Sequence, residues 1–370
     1  MIKRKGKSLA IAGIALLTML AVGCGKSRED DAATVQEENT ATMQEGLPQD
    51  SAEPAATEEV KSEDSVLDWK CDRVKIAAKS ALGLHGEEEI SLSDVLEIKE
   101  LSLFGSSGLD DLSDLSKFKN LETLDLNMSS AKDISVLSEV TGLKTLSLSD
   151  TSVSDISALS GLTELETLNL NNASVSDISA LSGLTKLKEL QLGGNSVSDI
   201  SALSGLTELE TLNLSGNSVS DISALAGLTK LKKLYLGENS VGDISALSGL
   251  TELEELYLSQ NSIGEVSALS GLTELKELYM SQNSVSEISA LSGLTQLKVL
   301  YLDRNSISEI SALSGLTELE ELYLSGNSIS DESIGTVTEL PNLKRLSFDY
   351  MNYDKSLWEG LYANGCDVTS

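Results

Sequence analysis

The chain has 370 residues and a formal net charge of −31, with 58 acidic residues against 27 basic ones. That balance argues against nucleic acid, which is bound by neutralising phosphates with Lys and Arg, and against docking on an anionic membrane surface. The single histidine, His85, leaves little material for a His-based metal site or general base, and an aromatic content of 4% makes any clustering of aromatics informative.

Residues 1–23 carry Lys3, Arg4, Lys5 and Lys7, then an apolar run from Leu9 to Val22. A basic head and an apolar core of this length predict a secretory signal, not a spanning helix. The run Leu20-Ala21-Val22-Gly23-Cys24 resembles a bacterial lipobox. That resemblance implies cleavage before Cys24 and acylation of its sulfur. Residues 24–65 are then a lipidated, acidic tether. They are rich in Glu, Asp, Ala, Thr, Ser and Gln, and too poor in large apolar residues to bury a core. A flexible chain of this length spans roughly 35 Å.

Residues 66–97 predict an N-terminal cap. Val74, Ala77, Ala78, Ala81 and Leu82 make the stripe of an amphipathic helix, which Gly83 ends. Ile90-Ser91-Leu92 follows, and Val95, Leu96 and Ile98 lead into the repeats. His85 is expected in an exposed turn, with no ligands at metal spacing around it.

From residue 98 to 348 one unit recurs. LxxLxL begins at Leu121, Leu143, Leu165, Leu187, Leu209, Leu231, Leu253, Leu275, Leu297 and Leu319, each step 22 residues. Degenerate copies open at Ile98 and Leu343, giving about twelve units. LxL alternates as a strand with one buried face must. Asparagine follows at a fixed offset from Asn195 to Asn327, where its amide can bond backbone groups as the chain leaves the strand. Ser129, Thr151 and Ala173 hold that column in earlier units, so that end is expected to be less well tied. Val175, Ile178, Leu181 and Leu184 and their equivalents should fill the core from the back, through turns and 3₁₀ pieces. Glycine recurs from Gly161 to Gly315, which predicts a positive-φ turn before each strand.

LxxLxLxxNxVxDIxxLxxLTx resembles the leucine-rich repeat of the short, internalin-like class. The resemblance implies an α/β solenoid, a horseshoe with a parallel β-sheet on the concave face and turns or 3₁₀ segments on the convex face. It also implies a helical N-terminal cap. Residues 349–370 predict a C-terminal cap, with Leu357, Trp358, Leu361 and Tyr362 at helical spacing. Cys71 and Cys366, at opposite ends of a block about 50 Å long, are expected not to pair.

If the leucines of LxL point inward, the residue between them faces the concave groove. That column reads Asp125, Ser147, Asn169, Gln191 and Asn213, then Tyr235, Tyr257, Tyr279, Tyr301 and Tyr323. Beside the tyrosines stand Lys233, Glu255, Glu277, Val299 and Glu321 on one flank, and Gly237, Ser259, Ser281, Asp303 and Ser325 on the other. The expected stripe is about 19 Å long, with accessible rings. Tyrosine also suits strands and pairs with itself across a sheet, so duplication of one repeat would produce the same column. The candidate protein-binding residues are these five tyrosines with Glu255, Glu277, Glu321 and Arg304. The back column Asp133 to Asp331 is expected to cap turns, not to bind calcium. Charges alternating through Glu166, Lys188, Glu210, Lys232, Glu254 and Lys276 should help register.

The sequence thus predicts a binding scaffold with no cofactor, no metal and no catalytic constellation. The expected function is a cell-surface lipoprotein that recognises a protein, in adhesion or host-receptor recognition. A scaffold for one of the bacterium's own envelope proteins is the alternative, and a glycan-binding module ranks below both.

Overall fold

The structure is a computed structural model that describes residues 67–349, 353–363 and 365–369, with the side chains of 355–358 left aside. The expected signal segment, Cys24 and the acidic tether lie outside the described residues, as do the side chains of Leu357 and Trp358.

Thirteen three-residue strands form one parallel sheet in simple sequence order, from Glu100–Ser102 to Asp367–Thr369. The register follows the repeat, with Leu168 opposite Leu190, Leu190 opposite Leu212 and so on along the sheet. A parallel connection must cross back over the sheet before the next strand. Here one coil does so in 22 residues, through a 3₁₀ turn such as Ser179–Leu181 or Ser245–Gly249. Each coil buries the same set of side chains: Leu165, Leu168, Leu170, Val175, Leu181 and Leu184 are all fully buried. One continuous core therefore runs the length of the solenoid, and each coil is held mainly by its two neighbours.

The asparagine column is a hydrogen-bonded ladder. Asn261 Nδ2 donates to the carbonyls of Leu236 (2.9 Å), Leu258 (3.0 Å) and Ser259 (3.4 Å). Its Oδ1 accepts from Val241 N at 2.9 Å. One side chain thus satisfies backbone groups of two coils, which would otherwise be left open where the chain turns. In the earlier units Thr151 Oγ1 still reaches Leu148 O (2.7 Å), but it makes one such bond where asparagine makes several.

The expected role of the recurring glycines is overturned. None of Gly161 to Gly315 in that column has positive φ, and a Cβ there would meet nothing nearer than a backbone carbonyl of the preceding coil at 3.8–4.0 Å. The left-handed residue lies elsewhere, just before the asparagine column. It is Met128, Asp150, Asn172, Gly194, Gly216, Glu238, Gln260, Gln282, Arg304 and Gly326 in successive coils. There the amide is committed to the next coil, as in Gln260 N to Ser281 O at 2.8 Å. Inter-coil bonding imposes the conformation whatever side chain is present.

Both ends differ from the repeats. Helix α1 (Asp72–Leu82) ends at Gly83, which has φ 68°, and turns Val74 and Ala78 into the core. Ala81, expected in the apolar stripe, is exposed. A second helix, α2 (Leu92–Glu97), is started by a reciprocal cap between Ser91 and Asp94. The buried carboxylate of Asp114 accepts the amides of Lys70 and Cys71, each at 2.8 Å, and pairs with Lys117. It ties the first residues to the first coil. At the other end α3 (Asp331–Ile334) is added ahead of the last 3₁₀ turn (Gly335–Glu339), so Asp331 sits in a helical first turn capped by Ser330. Helix α4 (Lys355–Ala363) leads to the last strand, where Val368 is buried opposite Leu346. The segment after the repeats is thus a helix followed by one more strand. Tyr362 is 47% exposed, with its hydroxyl on Val368 O at 2.7 Å. Cys71 and Cys366 are both free and buried.

Candidate functional site

The concave face is set by the strands. Because Leu234, Leu256, Leu278, Leu300 and Leu322 point into the core, the next residue of each strand points out. Register then places Tyr235 opposite Tyr257, Tyr257 opposite Tyr279, Tyr279 opposite Tyr301 and Tyr301 opposite Tyr323. Neighbouring parallel strands lie about 4.8 Å apart, close to the spacing at which rings stack. Ring centroids are 4.6, 4.1, 4.7 and 3.9 Å apart in sequence order, with planes 11–31° apart. The five rings form one stack, and all five are half-buried. The expectation of freely accessible rings is corrected: interior faces are covered by neighbours, and edges and hydroxyls remain for a ligand.

The three glutamates organise four of the five hydroxyls. Glu255 Oε2 accepts from Tyr235 (2.9 Å), and its Oε1 pairs with Lys233 Nζ (2.8 Å). Glu277 Oε2 accepts from Tyr257 (3.3 Å) and Tyr279 (3.0 Å). Glu321 Oε2 accepts from Tyr323 (3.1 Å), and its Oε1 pairs with Arg345 Nη1 (2.9 Å). Burial within the stack raises the ionisation of Tyr235, Tyr257, Tyr279 and Tyr301 above the ordinary tyrosine range. Hydroxyl bonds to the glutamates act in the same direction for Tyr235 and Tyr279. At working pH the hydroxyls of Tyr235, Tyr257, Tyr279 and Tyr301 are therefore neutral.

Arg304 stands apart from this group. It is exposed in the turn after Tyr301, with φ 53°, and its side chain lies toward Gly326, where a Cβ would come within 3.1 Å of its Cγ. On the other flank Asp303 is partly buried, which raises its carboxyl, and it accepts from Ser281 Oγ (3.2 Å) and Ser325 N (3.0 Å). Arg345 was not visible as a member of the site. The two extra residues between Leu319 and Leu343 shift it out of the 22-residue column, and counting from LKRL instead restores it beside Glu321.

The remaining charged columns are structural. Asp133, Asp155, Asp177, Asp199, Asp221 and Asp243 each accept the amide of the serine two residues on, at 2.8–2.9 Å. Those amides hold the carboxyls below their usual range. The alternating flank forms pairs between coils: Lys188 with Glu166 at 2.6 Å, Lys232 with Glu210 at 2.8 Å, and Lys276 with Glu254 at 2.5 Å. His85 is exposed, and among the described residues no group of His, Cys, Asp or Glu is arranged to hold a metal ion.

The family of leucine rich repeats (2 copies) matches residues 141–183, 185–227 and 229–272, and the leucine rich repeat family matches 264–307 and 285–329. An internalin (InlF) from Listeria monocytogenes is 29% identical, with 80% of this chain and 94% of that one covered and a TM-score of 0.74. Internalin C2 of the same organism is 28% identical over 67% of this chain and 90% of its own, at a TM-score of 0.46. A plant peptide hormone receptor, RGFR1 in complex with RGF2, shares the fold at 24% identity and a TM-score of 0.61, over 67% of this chain and 43% of the receptor. No curated protein shows significant sequence similarity to the chain.

Proposed function

The chain belongs to the leucine-rich repeat proteins, in their short, internalin-like class, and from that premise we propose that its concave face binds a protein partner through the tyrosine stack. The observation that carries this reading is the stack itself: five in-register rings on the open face, four of whose hydroxyls are fixed by Glu255, Glu277 and Glu321. Binding costs side-chain freedom, about 0.5–1.5 kcal/mol for each flexible side chain immobilised. Rings already locked by stacking lose little of it. Tyrosine also supplies the large amphipathic area that binding hot spots favour. Glycan recognition ranks lower, because a sugar stacks on an open ring face and the interior faces here are covered.

On this reading the protein is a bacterial surface lipoprotein in adhesion or host-receptor recognition, held to the membrane through Cys24. The basic-then-apolar N-terminus and the lipobox-like LAVGC support the anchor. A scaffold holding one of the bacterium's own envelope proteins is the second form. The test is a pulldown from host tissue and, separately, from the organism's own surface extract. Wild type is compared with Tyr257→Ala/Tyr279→Ala/Tyr301→Ala, whose circular dichroism must still show a folded solenoid. Retention of the same partner by a folded triple variant refutes the tyrosine site. Fractionation of Cys24→Ser tests the anchor: release from the membrane is expected.

A further inference from the structure

The glutamates of the stack are not equivalent, and the difference points to the partner's chemistry. Glu255 and Glu321 each use one oxygen for a tyrosine hydroxyl and the other for a cation, Lys233 or Arg345. Glu277 takes two hydroxyls on Oε2, and the described residues give its Oε1 no donor. Register explains why. The residues level with Glu277 on the two adjoining strands are Glu255 and Val299, an acid and a hydrocarbon, where Glu255 has Lys233 and Glu321 has Arg345.

We propose that the partner seats a basic side chain, arginine or lysine, on Glu277 Oε1 at the centre of the stack; the proposal rests on the concave face being the protein-binding surface. Glu277 is half-buried and lies beside a second acid, so a bare oxygen there is poorly screened. A cation at that point completes the pattern already present at Glu255 and Glu321. Charge-assisted bonds of about 2.7–2.9 Å are the strong class. Val299, half-buried, gives the methylene stem an apolar floor. The net charge of −31 draws a basic partner in. A divalent metal ion fits less well, since it needs several oxygens converging on one point.

The probe is a library of random linear peptides displayed on phage, selected on the full chain at about 0.15 M salt, where charges more than about 8 Å apart are screened. The expected peptides lose binding on Tyr257→Ala/Tyr279→Ala and share an arginine or lysine. Neutralising that residue, or changing Glu277→Gln, weakens binding by about tenfold, and the two together weaken it no further. Glu277→Gln keeps an acceptor for both hydroxyls and is expected to melt with the wild type. Glu189→Gln, an acid on the same face away from the tyrosines, is expected to bind as wild type. Val299→Lys places a cation beside Glu277 from within and should abolish basic-residue dependence. Peptides that need the tyrosines yet bind Glu277→Gln as tightly overturn the cation and leave the face standing. Peptides that ignore the tyrosines, or a selection that yields none, overturn both.

Discussion

Tyr257 and Tyr279 are joined twice: their rings lie 4.1 Å apart with planes 11° from parallel, and their hydroxyls donate to the same oxygen, Glu277 Oε2. The binding face is thus also part of the scaffold's stability. A stacked aromatic pair contributes about 0.5–1.5 kcal/mol beyond the area it buries. Tyr279 stacks on both neighbours, whereas Tyr235 has a ring on one side alone. Tyr279→Ala should therefore lose about twice the stacking energy of Tyr235→Ala. Tyr279→Phe should lose only the hydroxyl bond, about 1 kcal/mol. Thermal melts of the three variants check this. Equal losses for Tyr235→Ala and Tyr279→Ala would mean that stacking contributes nothing.

The two glycine columns make opposite predictions. Gly216 has φ 65°, and a Cβ there meets only ordinary contacts at 3.5 Å. Gly216→Ala should cost about 1 kcal/mol from the left-handed backbone alone. Gly271 has no such φ and room at 3.8 Å, so Gly271→Ala should be neutral or stabilise by up to about 0.5 kcal/mol. Gln282, at φ 59°, should gain about 0.5 kcal/mol on replacement by glycine. Denaturant melts of single variants give the signs, and a cost at Gly271 like that at Gly216 would refute the assignment.

These columns also show what the sequence could reveal. Leu, Val, Ile and Asn recur because their side chains are the reason for the coil, so fold, core and ladder are legible in their spacing. The left-handed column holds Met128, Asp150, Glu238 and Arg304 as readily as Gly194, because amide bonds to the next coil set it. No residue type marks it, and the glycine that does recur misled. The tyrosine column was legible as a column. Its covered ring faces were not, because they follow from the strand spacing and not from any letter. The contacts that hold the ends, Asp114 and the strand at Asp367–Thr369, occur once each and have no period to betray them.

Asp114 can be tested through a thiol. Its carboxylate is fully buried, holds the amides of Lys70 and Cys71, and pairs with Lys117. Asp114→Ala leaves two amides and a lysine without their partner, a loss of about 3–5 kcal/mol for a broken buried pair. In a solenoid that loss is local, because each coil depends on its neighbours. Cys71 should then react with a thiol reagent while Cys366, buried at the far end, stays protected; Cys24→Ser removes the third thiol from the assay. Equal reactivity of Cys71 in wild type and variant would show that Asp114 does not hold the cap.

Alkaline pH should weaken the stack before the rest of the coil. Burial raises Tyr235, Tyr279 and Tyr301 above the ordinary value of 10.0. A group with a raised native value contributes stability that is fully present below its unfolded value and lost as pH climbs through the native one. Melting temperature should therefore fall from about pH 10 upward, and tyrosinate absorbance should show part of the eight tyrosines titrating late. At the acid end the sign reverses. The Lys144 and Lys99 ammonium groups lower Glu122 from 4.5 to about 2, so that contribution is present above 4.5 and lost as pH falls toward 2. Tyrosine-to-phenylalanine replacement across Tyr235, Tyr257, Tyr279 and Tyr301 should remove most of the alkaline loss and leave the acid one unchanged. If all eight tyrosines titrate together at the ordinary value, the stack is open to water and its hydroxyls are not held by the glutamates.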